Sequence, residues 1–192
     1  MNNSTSGHSF LEQVRCGLHA FLHDCRGLSA VEFALIIPLM IPLYFGAVEF
    51  SNALTVDRRV TSVASTAADL TAQAEEVTSG DIQDVFDAAR SIMTPYPNAG
   101  ISIVLTSVVA DEDNKTTVDW SCAQNGTAYS EGSNYTLPTN LTQPFSSVIV
   151  AEVAYTYSPP IVEFITTPIN MTETFYLRPR RSLTVEFQGG GC

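Results

Sequence analysis

The chain has 192 residues and a net charge of -11, with 45% hydrophobic side chains but only 15% charged ones, against roughly 25% charged in a typical soluble domain. So acidic a chain repels phosphate backbones, which excludes nucleic acid as a partner. All three histidines, His8, His19 and His23, fall in the opening segment, so the body has no histidine base or ligand. With no nucleophile elbow or metal set either, the sequence points away from an enzyme and from any cofactor.

Residues 9–25 read SFLEQVRCGLHAFLHDC and place Phe10, Leu11, Val14, Leu18, Phe21, Leu22 and Cys25 on one helical face. Such a face suits a segment lying on a membrane surface. Cys16, His19 and His23 recur at i, i+3 and i+7, but a zinc site wants a fourth ligand and a closed geometry. A solvated polar face is the simpler reading.

An uncharged run follows, Phe33 to Val48, FALIIPLMIPLYFGAV. As a helix it spans about 24 Å, short of a bilayer's hydrocarbon core of about 30 Å. Extending it back to Leu28 gives about 31 Å and places Glu32 inside the boundary, where a charge is penalised. The run has no polar face, unlike a surface helix of a soluble core. A secretory signal peptide is the competing reading, with Ser51 and Ala53 at cleavage spacing, but its preceding region is normally much shorter. Arg15 and Arg26 before the run and Arg58 and Arg59 after it nearly balance, so charge alone leaves the orientation open. Pro38 and Pro42 each remove a helical donor, leaving the carbonyls of Ala34 and Pro38 to find other partners.

The string Arg26-Gly27-Leu28-Ser29-Ala30-Val31-Glu32-Phe33, followed at once by an apolar helix, resembles the processing site of type IV pilin-like proteins. The longer GLSAVEFALIIPLMIPLYFGAVEFSNAL is similar to the amino-terminal signature of TadE-like proteins, pilin-like components of the Tad/Flp (type IVc) pilus system. Tyr155-Thr156-Tyr157-Ser158-Pro159 and Arg178-Pro179 resemble that family's carboxyl-terminal pattern. The major Flp pilins typically carry Glu-Tyr where this chain has Glu32-Phe33, and the chain is too short for the added domain of TadG-like members; the resemblance favours TadE-like members without separating them cleanly from TadF-like ones.

The resemblance implies that a prepilin peptidase cuts between Gly27 and Leu28, with Glu32 and Phe33 serving recognition and assembly. It implies a minor-pilin role in pilus assembly and adhesion, with other pilin-like subunits and the Tad assembly platform as partners. The implied location is the bacterial inner membrane, crossed once, with the acidic body outside the cytoplasm. The rival function is a single-pass membrane protein whose exported domain binds a ligand or surface, outside any pilus.

Past Val48 the helical pattern continues. Val56, Val60, Val63, Ala67, Leu70, Ala74 and Val77 alternate steps of four and three. Ser79-Gly80-Asp81 breaks this helix, and Asp81 is placed to cap another, with Ile82, Val85, Phe86 and Ala89 marking an amphipathic stretch to about Met93. Strands are expected at Ile101–Val109, Lys115–Cys122, Ser147–Tyr157, Ile161–Thr166 and Thr172–Phe187. The Asp111-Glu112-Asp113-Asn114 turn lacks the calcium-loop pattern and reads as a hairpin. Sequons at Asn114, Asn125, Asn134, Asn140 and Asn170 hint at surface positions.

The expected architecture is α+β and pilin-like. A leader at 1–27 is removed, a transmembrane helix at 28–48 continues as an extension at 49–78, and the exported domain at 79–192 combines a short helix with an antiparallel sheet. With the leader go Cys16 and Cys25. Cys122 and Cys192 remain, as a disulfide tying the tail to the sheet or as two free thiols.

Overall fold

A computed structural model describes residues 28–159, 167–189 and 192. The leader, Gly27 and the strand expected at Ile161–Thr166 lie outside these residues. The chain divides into two units, Met1–Gly46 and Ala47–Cys192. What is described of the first is the start of one 45-residue helix, α1 (Leu28–Ala72), which passes through Pro38 and Pro42.

The second unit is α+β. After α1 come β1 (Glu76–Thr78), α2 (Ser79–Ser91), β2 (Ser102–Ala110), β3 (Thr116–Gln124), β4 (Ser147–Tyr157), β5 (Ile169–Leu177) and β6 (Glu186–Gln188). Four strands form an antiparallel sheet in the order β3-β2-β4-β5, and β1 pairs with β6 in parallel.

From Val56 onward the buried stripe of α1 consists of Val56, Val60, Val63, Ala64, Ala67, Ala68, Thr71 and Ala72. A straight helix has 3.6 residues per turn and drifts about 20° per heptad against a 3.5 repeat. By the last turn the buried face has moved on to Thr71 and Ala72, and Leu70 is exposed. Helix α1 also stops six residues before the expected boundary. Its end is fixed by chain from the far terminus: the Arg180 N–H donates to the Ala72 carbonyl at 2.9 Å, and Arg180 pairs with Asp69. Cations at a helix C-terminus offset the unpaired carbonyls there. Val77 is buried, but as a strand residue opposite Phe187.

The cap of α2 differs from expectation as well. Thr78 is the N-cap and Asp81 sits three residues in. The Asp81 N–H donates to Thr78 Oγ1 at 3.2 Å, and the Thr78 N–H donates to Asp81 Oδ2 at 2.8 Å. This is a capping box, and its bonds from the Thr78 side chain and backbone hold the Asp81 carboxyl below its ordinary range. Ile82, Phe86 and Ala89 face the core.

Strands β2 and β4 lie in the middle of the sheet and are buried along most of their length. One sheet face (Ile103, Leu105, Trp120, Cys122, Ile149, Ala151, Val153) packs with the α1 and α2 stripes. The other carries Val108, Val148 and Val150 under Tyr135, Leu137, Leu141 and Tyr176. The β2–β3 register shifts between Ser107, opposite Trp120, and Val108, opposite Val118, so Asp119 is the extra residue of a bulge. The single strand expected over Thr172–Phe187 is two. Between them, Pro179 has no N–H to donate, and Arg178 Nε bonds the Leu141 carbonyl at 2.8 Å.

The five sequon asparagines of the body, Asn114, Asn125, Asn134, Asn140 and Asn170, are exposed. Three of them, Asn114, Asn125 and Asn140, adopt φ of 60°, 53° and 69°, the left-handed conformation that asparagine tolerates in turns.

Candidate functional site

Leu28 is the first residue of α1, and Glu32 lies one turn further on, about 6 Å along the axis. Glu32 is exposed, and Phe33 beside it is 65% exposed. Val31, Leu35, Ile36, Leu39, Met40, Ile41, Leu43 and Tyr44 are also open around the helix. A helix that exposes this many apolar side chains is suited to a nonaqueous surrounding. Among the described residues, this one helix is long and apolar enough to cross a membrane.

The body places a second carboxylate where the apolar run ends. Glu49 is fully buried, and the Tyr157 hydroxyl donates to its Oε2 at 3.4 Å. Burial first, and then the neighbouring Glu49 charge, hold the Tyr157 phenol above its ordinary range. Glu49 lies seven residues before Val56, on the buried stripe. That heptad spacing was the available signal for it, obscured because a glutamate bounding an apolar run reads as a solvent marker.

Beside this pair lies a cavity of about 470 Å³, lined by Asn52, Tyr96, Pro97, Tyr155, Thr156 and Tyr157 among others. The Tyr155–Ser158 part of the late motif thus forms one of its walls. Arg59 braces another. Its Nη1 donates to the carbonyls of Ile92 and Thr94, each at 2.6 Å, and its guanidinium lies 5.5 Å from the Tyr96 ring centre.

A second cavity, about 580 Å³, opens by the bulge and is lined by Asp119, Glu131 and Glu186 with Trp120, Tyr129 and Phe187. Burial, then the charges of Glu131 and Glu186, raise the Asp119 carboxyl above its ordinary range. Among the described residues, no three His, Cys, Asp or Glu side chains are grouped to hold a metal ion.

Cys122 and Cys192 come together across 70 residues, with Cα atoms 5.3 Å apart, within the span a disulfide requires. Of the residues singled out in the sequence, Leu28, Glu32 and Phe33 share the start of α1, and the two cysteines meet elsewhere, at the edge of the sheet.

Residues 27–69 match the family of TadE-like proteins. The matched stretch begins at the glycine before α1 and covers the exposed apolar helix, Glu49 and most of the buried stripe. No curated protein and no solved structure matches the chain. The TadE-like match coincides with α1 rather than with the sheet.

Proposed function

We propose that this protein is a pilin-like component required for assembly of a Tad/Flp pilus, acting through helix packing and electrostatic pairing rather than catalysis. The observation that carries this reading is the coincidence of the TadE-like match with an exposed apolar helix whose single early carboxylate is the fifth residue from Leu28. In this reading a prepilin peptidase cuts after Gly27. The new ammonium of Leu28 then lies about one helical turn from Glu32. A carboxylate in lipid is strongly penalised unless it is paired, and the ammonium of Leu28, from the same or a neighbouring subunit, supplies the partner. Pairing between subunits would set the axial register of a fibre.

The helix 28–48 anchors the chain in the inner membrane, with the body outside the cytoplasm, where it meets other pilin-like subunits and the assembly platform. The deciding experiment is amino-terminal sequencing and intact mass of membrane-extracted protein, with and without the prepilin peptidase. A peptidase-dependent start at Leu28 is expected. An uncut chain would favour a membrane-anchored binding domain, and a start after Ala53 an ordinary secreted one; either would overturn the proposal.

A further inference from the structure

We infer that Asn125 is a site of spontaneous deamidation, which the fold holds back and whose product the fold cannot tie down again. Asn125-Gly126 is the one Asn-Gly pair in the sequence. In such a pair the backbone nitrogen of the glycine can reach the preceding carboxamide carbon, because no glycine side chain shields it. The inference stands apart from the membrane and pilus reading.

Local structure requires both members of the pair. Strand β3 ends at Gln124, and Asn125 then turns the chain with a φ of 53°, a conformation asparagine tolerates better than most residues. Its Nδ2 donates to the carbonyls of Ala99 at 3.2 Å and Ile101 at 3.0 Å. These bonds tie the end of β3 to the chain entering β2, where Ile101 is fully buried in the core. Gly126 lies so close to β2 that a Cβ there would stand 2.6 Å from Ser102 Oγ and 3.0 Å from Val104 Cγ2. A larger residue, which would slow the reaction, has no room. Asn125 and Gly126 are both exposed, so water reaches them.

The chemistry needs only that water. The Gly126 nitrogen bonds to Asn125 Cγ as the Cγ–Nδ2 bond breaks, and its proton leaves with Nδ2 as ammonia. The resulting succinimide adds water at either carbonyl. It opens to aspartate, or to isoaspartate with one more methylene in the backbone. Ring closure brings the carboxamide onto the Gly126 nitrogen, whereas in the folded chain the amide is held by two acceptors and Gly126 packs against Ser102 and Val104. The reaction therefore proceeds from a locally opened state. The new carboxylate is ionised at neutral pH and has no proton to donate. Two carbonyls lose their donor and face a charge, so the start of β2 stays loosened.

The test incubates the full detergent-solubilised chain at mildly alkaline pH, folded and in urea, and follows the peptide containing Asn125 by mass spectrometry. In urea the peptide should convert to the acid, with aspartate and isoaspartate forms separating on chromatography. In the folded chain conversion should be slower by about tenfold or more, the scale of two hydrogen bonds that must first open. Equal rates would overturn the protection, and an unconverted peptide in urea would overturn the site.

Asn125→Asp reproduces one product directly. It should speed amide hydrogen exchange about tenfold at Ile101, whose N–H donates to the Asn98 carbonyl. Exchange as slow as in the parent would overturn the loosening. Asn125→Gly keeps the positive φ and removes both the donors and the reactive amide. The same peptide from that variant should gain no mass in urea, and a gain that persisted would place the chemistry at another residue and overturn the inference.

Discussion

The hydroxyl of Tyr157 donates to the carboxylate of Glu49 at 3.4 Å, joining the end of β4 to α1 across 108 residues, with both side chains buried. A protein hydrogen bond contributes about 0.5–1.5 kcal/mol net, and this one is long for an O–H···O contact. Tyr157→Phe keeps the ring and removes the donor, and should lower the unfolding free energy by about 0.5–1 kcal/mol. Urea denaturation of the detergent-solubilised chain measures this, and an unchanged midpoint would show that the bond contributes nothing.

Glu32→Ala should spare membrane insertion and abolish or sharply reduce fibre production. The carboxylate lies on an exposed turn of α1, so its loss removes a pairing group without disturbing a core. Comparing membrane fractions with surface fibres separates the two effects, and normal fibre yield would refute the pairing.

Arg59 supports the cavity wall through two carbonyl bonds and the Tyr96 ring. Arg59→Met retains much of the stem and removes the donors, leaving two acceptors without that partner. The expected cost is about 2–3 kcal/mol, together with faster proteolysis in the 92–97 loop under limited digestion. Equal digestion rates in variant and parent would count against a bracing role.

Alkaline stability should depend on Tyr135. Its hydroxyl and that of Tyr129 both donate to Glu152 Oε1, at 2.9 Å and 3.1 Å. Burial first, and then Glu152, raise both phenols above their ordinary value of 10.0. A raised phenol keeps its proton in the folded state after the unfolded chain has released its own. Its contribution is complete below about pH 10 and is lost as pH rises through the folded value. Tyr135→Phe should lower the urea midpoint at pH 8 and flatten the decline between pH 10 and 11.5. Parallel declines in parent and variant would place the dependence elsewhere.

If Cys122 and Cys192 are bonded, the non-reduced mass will fall 2 Da below that of the reduced chain. Cys192→Ser should then destabilise by up to about 4 kcal/mol, the chain-entropy value for a loop of this size. Two alkylatable thiols in freshly extracted protein would dispose of the bond.

The elements most legible in the sequence were those set by local pattern. Strand β4 has the expected bounds, because Ser147–Tyr157 is a nearly unbroken run of β-branched, small and aromatic residues; its first half is buried on both faces, and from Glu152 on it alternates. Helix α2 follows its own hydrophobic stripe. What was illegible depends on distant chain. The end of α1 is fixed by Arg180, which no local window contains, and Thr78 is a cap partly because β6 holds β1 beside it. The same holds for the candidate sites. Glu32 and Leu28 are neighbours along one helix and could be read directly, whereas the tyrosine cavity required α1, the 96–100 loop and β4 to be brought together.

The β1–β6 ladder has a mechanical consequence. Its register, Glu76↔Glu186, Val77↔Phe187 and Thr78↔Gln188, runs in parallel, with β1 following α1 and β6 leading to Cys192 beside Cys122 of β3. With Cys122 and Cys192 bonded, tension drawn through α1 enters β1 at its start and leaves β6 at its end. Parallel strands loaded this way must break their bonds together in shear, instead of peeling one at a time. A chain pulled by its helix would pass force into the sheet through this short clasp, and the tail would act as a tether that keeps α1 from being drawn out of its own core.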